Sequence, residues 1–222
     1  MVKYSSILLL ISLIVLSCDK EKRPDIEIIK DPTQPNILFV IADDMGKDAT
    51  PNYSEGQQKP LMPTLERLAS NGMTFDNVWT YPVCSPTRAS VLTGKLGYYT
   101  GVLEVGQDIS LSEESLHDFV KNQSKGAYDT ALIGKWHLSK NISDPNSMGI
   151  DYFSGILGGG VSSYTNWKEV NNGVITNSTT YTTTSFSNTA IDWISSREKP
   201  WFLWLAYNCL LYTSDAADEV VS

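Results

Sequence analysis

The sequence predicts an α/β protein with a mostly parallel central sheet flanked by helices. Its clearest strand is the continuous apolar run Ile37-Leu38-Phe39-Val40-Ile41-Ala42, which ends at Asp43-Asp44-Met45-Gly46. A short β-branched run without polar alternation suits a strand buried on both faces, as in a parallel sheet. Two further strand-like stretches, Tyr128 to Ile133 and Trp201 to Tyr207, are separated from it by segments of helical texture. Buried strands alternating with helices are the pattern of an α/β sheet. With 222 residues, 41% hydrophobic and 10% aromatic, the chain can bury one sizeable core.

The elements follow in order. Residues 1–18 read as a targeting segment: Lys3 gives a short basic start, and Ile7 to Leu16 form an apolar stretch too short for a comfortable membrane span. Leu16-Ser17-Cys18 then resembles a bacterial lipoprotein signal, in which Cys18 is lipidated and becomes the new N-terminus. Residues 19–35, charged and carrying three prolines, read as a solvated tether. After the strand at 37–42, a helix is expected over Leu61 to Asn71, opened by Pro63 and Thr64 and ended by Gly72, with Leu65, Leu68 and Ala69 on one face. Met73 to Thr80 has strand-like composition. Behind Cys84, Pro86 fits the first turn of a helix and Gly94 its C-terminal stop. Leu111 to Lys121 reads as an ordinary amphipathic helix, which leaves His117 outside any site. The Gly158-Gly159-Gly160 run matches no phosphate loop. It and the Thr/Ser/Asn-rich stretch 161–187 read as long loops before a helix at Ser187 to Arg197.

A formal charge of -8 without a basic stripe gives nucleic-acid binding no electrostatic footprint. It also means that any anion site must rest on local cations, either a metal or a few Arg and Lys. The three cysteines, Cys18, Cys84 and Cys209, lie in unlike contexts, and no structural disulfide is expected.

Two features point to chemistry. Asp43 and Asp44 follow the opening strand, and ligand sites in open α/β sheets lie beyond the carboxyl ends of strands. Adjacent carboxylates repel unless a cation or hydrogen bonds compensate, so the pair is either a calcium or magnesium site or a turn in which one Asp caps the next segment. Cys84 stands before a helix start, where backbone N–H groups favour negative charge. That is the setting of an activated thiolate or an anion site, against the alternative of a buried structural cysteine.

Cys84-x-Pro86-x-Arg88 followed by Ala89-Ser90-Val91-Leu92-Thr93-Gly94-Lys95 closely resembles the signature of type I sulfatases, members of the alkaline phosphatase superfamily. Three more runs match the family in order: Pro35 to Gly46, Gly134-Lys135-Trp136-His137-Leu138, and Pro200 to Asn208. The resemblance covers residues 36–208, taken as the N-terminal part of a catalytic domain. It implies that a maturation enzyme oxidises Cys84 to formylglycine. A hydrated aldehyde carries two hydroxyls on one carbon: one attacks sulfur beside a divalent cation, and loss of the other's proton re-forms the aldehyde and expels sulfate.

By the same resemblance Asp43, Asp44 and the modified Cys84 hold calcium, with magnesium the less favoured ion. Arg88 anchors the hydrated aldehyde, Lys135 binds the sulfate, and His137 bonds the diol and acts as base, a role that suits a histidine titrating near neutral pH. Without the family, His137 could be a satisfied core histidine and Lys135 a surface charge; their spacing puts both on one side of an extended segment. Trp136 is read as packing. The implied partners are a sulfated carbohydrate or small sulfate ester, the maturation enzyme, and the membrane of the bacterial envelope through the Cys18 lipid. The alternatives are a phosphate or phosphonate ester hydrolase of the same superfamily, and a sulfated-glycan-binding lipoprotein without turnover.

The family pattern stops after Asn208. Residues 209–222 resemble translated sequencing-adapter DNA, and the expectation is a truncated, inactive fragment that lacks later metal ligands and a proline–histidine motif.

Overall fold

The computed structural model describes residues 34–208. The signal segment with Cys18, the tether up to residue 33 and the tail 209–222 lie outside those residues. In chain order the elements are β1 (Ile37–Ala42), α1 (Pro63–Asn71), α2 (Cys84–Thr93), α3 (Gly97–Thr100), α4 (Leu116–Gln123), β2 (Asp129–Lys135), α5 (Asp144–Ser147), β3 (Tyr152–Ile156), β4 (Trp167–Asn171), β5 (Val174–Ser178), α6 (Thr182–Ser195) and β6 (Trp201–Tyr207). They build one six-stranded sheet in the order β1-β6-β2-β3-β4-β5. The first four strands of that order run parallel, and β4 and β5 are antiparallel additions.

Strand β6 is the spine. It pairs with β1 on one side and β2 on the other, and alternation along it separates two cores. Phe202, Trp204 and Ala206 face α2 and α4 with Leu92, Leu132 and Phe153. Leu203 and Leu205 face α6, packing with Ile133, Phe186, Ala190 and Trp193. Each fully buried Phe or Leu of these layers contributes about 1.5–3 kcal/mol by leaving water. This is the flanked, mostly parallel sheet that the sequence predicts.

Several local expectations are corrected. β1 has its expected bounds but forms an edge of the sheet, with Leu38 51% and Val40 48% exposed, because no described element packs beyond it. α1 forms as expected, yet none of its residues is buried, and Gly72 is extended rather than left-handed. Met73 to Thr80 forms no strand with any described residue and is exposed throughout. The stretch read as loop contains the β4–β5 hairpin, joined by Asn172-Gly173 with φ of 42° and 78°. Those angles define a type I′ turn, whose twist matches that of paired strands. β3 was unmarked in the sequence, and α6 begins five residues earlier than expected, at Thr182 rather than Ser187.

Candidate active site

The parallel strands deliver their carboxyl ends to one edge of the sheet, and the sequence-predicted residues gather there. Asp43 is the first residue beyond β1, Lys135 the last of β2, and His137 lies two residues further on. Helix α2 supplies Cys84 and Arg88. The helix starts at Cys84 itself, and Pro86 falls in the first turn, where a missing N–H leaves nothing unpaired. Arg88 comes four residues later, on the same face one turn on. Gly94 closes α2 in a left-handed cap, its N–H donating to the Ser90 carbonyl at 2.8 Å.

A buried charge triad forms the floor. Asp43 Oδ2 accepts from Arg88 Nη2 at 2.6 Å and from Lys135 Nζ at 2.7 Å. The three side chains are only 5%, 2% and 3% exposed. Arg88 also donates to the Lys135 carbonyl at 2.7 Å, while its buried Nε has no partner among the described residues. Burial works against ionised Asp43, but the Lys135 and Arg88 hydrogen bonds and charges outweigh it and hold the carboxyl below the usual carboxylate range. Two cations face one buried carboxylate, so the triad carries one positive charge in excess. The Asp43 carboxylate thus serves Arg88 and Lys135.

Cys84 Sγ lies 3.0 Å from His137 Nδ1. Cys84 is half-buried, so it is not a sealed structural cysteine. His137 adopts φ of 55°, a left-handed backbone that costs a β-carbon residue about 1–2 kcal/mol. Fixed contacts hold it: its N–H donates to the Leu157 carbonyl at 3.0 Å, and its carbonyl accepts from Ser85 Oγ at 3.0 Å. Ser85 Oγ in turn accepts from the Gly106 N–H at 3.0 Å. Lys135 and His137 therefore reach one site through a bent backbone, not along one side of a regular strand. The bend begins at Gly134, whose φ is 112°; a Cβ there would stand 1.9 Å from the Ala206 carbonyl oxygen. Trp136 packs inward, its Nε1 donating to Ser139 Oγ at 2.9 Å.

Burial, then the charges of Lys135 and Arg88, push His137 down to about 4 against the opposing pull of Asp43. The expectation of a histidine titrating near neutrality is corrected accordingly: in these surroundings the ring is a neutral proton acceptor at pH 7. An anion placed against the two cations would offset part of their repulsion and raise it.

A cavity of about 630 Å³ opens over this floor, lined among others by Asp43, Asp44, Cys84, Thr87 and Arg88. Asp44, in a left-handed backbone with φ of 58°, stands exposed beside it. As hard oxygen donors, Asp43 and Asp44 match calcium in kind. They do not match it in number: calcium takes about six to eight oxygens, and one Asp43 oxygen already serves two cations. Among the described residues no group of three or more His, Cys, Asp or Glu could hold a metal. These residues alone therefore do not complete a calcium site.

Three residues at the site went unassigned in the sequence. Ser85 clamps the His137 carbonyl, Gly159 lies against the His137 ring, and Asn208 is fully buried just past β6 with neither side-chain amide atom hydrogen-bonded to a described residue. Ser85 and Asn208 sit inside matched motifs, but their types are too common to signal a role. His117 stays out of the site, buried against Phe202 with its Nε2 3.2 Å from the Ala131 carbonyl.

Comparison with known proteins identifies the family. The Sulfatase family model matches residues 35–209. Arylsulfatase G of Mus musculus is 40% identical over 132 residues, 55% of this chain and 24% of that protein. The N-acetylglucosamine-6-O-sulfatase of Bacteroides thetaiotaomicron is 35% identical over 152 residues, 68% of this chain and 25% of that protein. A structure solved with its substrate D-glucosamine-2-N,6-O-disulfate superposes with a TM-score of 0.66 at 27% identity, covering 79% of this chain and 34% of that one. The chain thus spans about a quarter of the length of these curated relatives. With a family match across most of the sequence and the family's motif residues gathered at one sheet edge, the chain belongs to the type I sulfatases of the alkaline phosphatase superfamily.

Proposed function

We propose that the protein to which these residues belong hydrolyses sulfate esters of carbohydrates at the Cys84 position, after a maturation enzyme has converted that cysteine to formylglycine. One observation carries the reading: the buried Asp43–Arg88–Lys135 triad, with one positive charge in excess, lies at the helix start that bears Cys84. Excess buried cation in a chain of net charge -8 needs an anion to balance it, and a helix N-terminus favours the same sign. The aldehyde hydrate would supply a hydroxyl nucleophile and, through its second hydroxyl, a route for releasing sulfate.

This chain's residues divide the remaining work. Lys135 has three donors and gives one to Asp43, which leaves two for sulfate oxygens. Arg88 holds Asp43 ionised and Lys135 in place through its carbonyl. His137, neutral and 3.0 Å from the Cys84 side chain, is in reach to take a proton there. Asp43 and Asp44 would be this chain's share of a calcium site whose other ligands lie elsewhere in a longer protein. The carbohydrate assignment draws on relatives named for N-acetylglucosamine-6-O-sulfate and ulvan. An envelope location through lipid on Cys18 belongs to the same proposal.

The test uses the full-length protein co-produced with a formylglycine-generating enzyme. Peptide mass spectrometry should find Cys84 converted to the aldehyde, and Cys84→Ala should lower sulfatase kcat more than about a thousandfold. Preference for an aryl phosphonate over the matched sulfate would favour the phosphonate hydrolase. An unmodified Cys84 with glycan binding and no turnover would favour the binding lipoprotein.

A further inference from the structure

The three consecutive glycines at 158–160 are alike in sequence and unlike in surroundings. A Cβ built on Gly158 meets only the Gly160 carbonyl oxygen at 3.8 Å, and one on Gly160 meets nothing within 4 Å. On Gly159 it would stand 2.6 Å from Cε1, 2.8 Å from Nε2 and 3.2 Å from Nδ1 of His137. Gly159 is half-buried where its neighbours are exposed. It does not have the positive φ that would itself demand glycine, so what the site requires of it is space.

We infer that Gly159 is a positioning residue for His137: its missing side chain leaves the room in which the imidazole stands while it reaches Cys84. The inference rests on the reading of His137 as the group that serves the Cys84 position. Among the described residues, Ser85 and Leu157 restrain the His137 backbone. The ring itself is fixed by the 3.0 Å contact with Cys84 on one side and by the Gly159 backbone on the other. The loop after β3 thereby becomes the back wall of the ring's slot. Its Leu157 carbonyl and its Gly159 backbone hold the backbone and the ring of the same residue. A methyl group at 159 leaves the fold of the loop possible and takes away the ring's place, so the imidazole turns away from Cys84. Misplacing a catalytic group by about 1 Å costs up to about a hundredfold in rate.

Two measurements test this. In the mature full-length sulfatase, Gly159→Ala should lower kcat by about 10–100-fold with KM nearly unchanged, while Gly158→Ala and Gly160→Ala stay within about twofold of the parent. In protein made without the maturation enzyme, the alkylation rate of Cys84 by iodoacetamide, followed by peptide mass spectrometry, should shift in Gly159→Ala toward the value of His137→Ala. Gly158→Ala and Gly160→Ala should not shift it. A parent without sulfatase activity whose Gly159→Ala variant still shows the alkylation shift would refute the proposed function and leave this inference standing. Equal kcat and equal alkylation in Gly159→Ala and the parent would overturn the inference.

A double variant separates positioning from loop stability. Removing the imidazole removes the clash, so Gly159→Ala added to His137→Ala should change neither alkylation nor unfolding temperature further. The same loss of unfolding temperature on both backgrounds would place the defect in the loop and overturn the assignment.

Discussion

His117 and His137 are the chain's two histidines, and burial acts on both. His117 is the simpler case. It sits at 0% exposure, its ring stacked 6.1 Å from Trp204 and tilted against Phe202 at 4.8 Å, with no partner for Nδ1 among the described residues. Burial pushes it down to about 4; the Ala131 carbonyl and Asp151 oppose this, and Lys121 adds to it. In the unfolded chain the same ring takes a proton near pH 6.5. Stability from this group is therefore complete above about pH 6.5 and falls as pH drops towards 4, where the folded form begins to protonate as well. The loss across that window is on the order of 3 kcal/mol. Urea unfolding from pH 7.5 to 4 should show the decline, and His117→Met, which has no titrating ring, should have a shallower slope. Equal slopes in parent and variant would count against the burial argument. Asp43 acts in the same sense but in a lower window, its stabilisation being lost only as pH falls below the ordinary carboxylate range, so the two are separable.

At the scale of elements, the active site depends on a bend near the end of β2, at Gly134. Gly134 makes the last pairing with β6, at Ala206, while pairing with β3 runs on to Lys135 opposite Ile156; over these residues Lys135 reaches Asp43 and His137 reaches Cys84. A Cβ at Gly134 would overlap the Ala206 carbonyl oxygen, which is backbone and cannot swing aside. Gly134→Ala should therefore cost about 3 kcal/mol or more in urea unfolding, or prevent folding, while Gly160→Ala should stay within about 0.5 kcal/mol. The G-K-W-H-L run was legible in sequence because its chemistry needs those residue types together; the bend that makes the spacing work was not, since it comes from contact with β6. The same division holds elsewhere. β1 and β6 have the bounds that their apolar runs predict, because a short run free of polar residues has few other uses. The burial of β1 could not be read, because it depends on what lies beside the strand. The β4–β5 hairpin was hidden in a Thr- and Asn-rich stretch, although Asn172-Gly173 is the dipeptide that a type I′ turn favours. Asp43 was legible as a site residue, but its two partners were not, because Arg88 and Lys135 lie 45 and 92 residues away.

Across the whole molecule, apolar surface is distributed unevenly. The two cores on either face of β6 are closely buried, whereas the segment from α1 to residue 80 buries almost nothing. Leu61 is 95% exposed, Trp79 92%, Met73 78% and Val78 69%, and no residue of α1 is buried. β1 adds a free strand edge with exposed Leu38 and Val40, a template for pairing with another chain. Exposed apolar area of this kind drives association. The formal charge of -8 opposes it, and salt screens that repulsion with a Debye length near 10 Å at 0.1 M and near 3 Å at 1 M, while leaving the apolar attraction in place. This chain, produced by itself, should therefore self-associate, and should do so more strongly as ionic strength rises. Sedimentation velocity at micromolar concentration across 0.05–0.5 M salt reads this directly. Leu61→Asp with Trp79→Asp should weaken association if the α1 segment drives it, and Leu38→Lys with Val40→Lys should do so if the β1 edge does. Association that weakens with added salt would mean that charge contacts, and not the exposed apolar residues, hold the copies together.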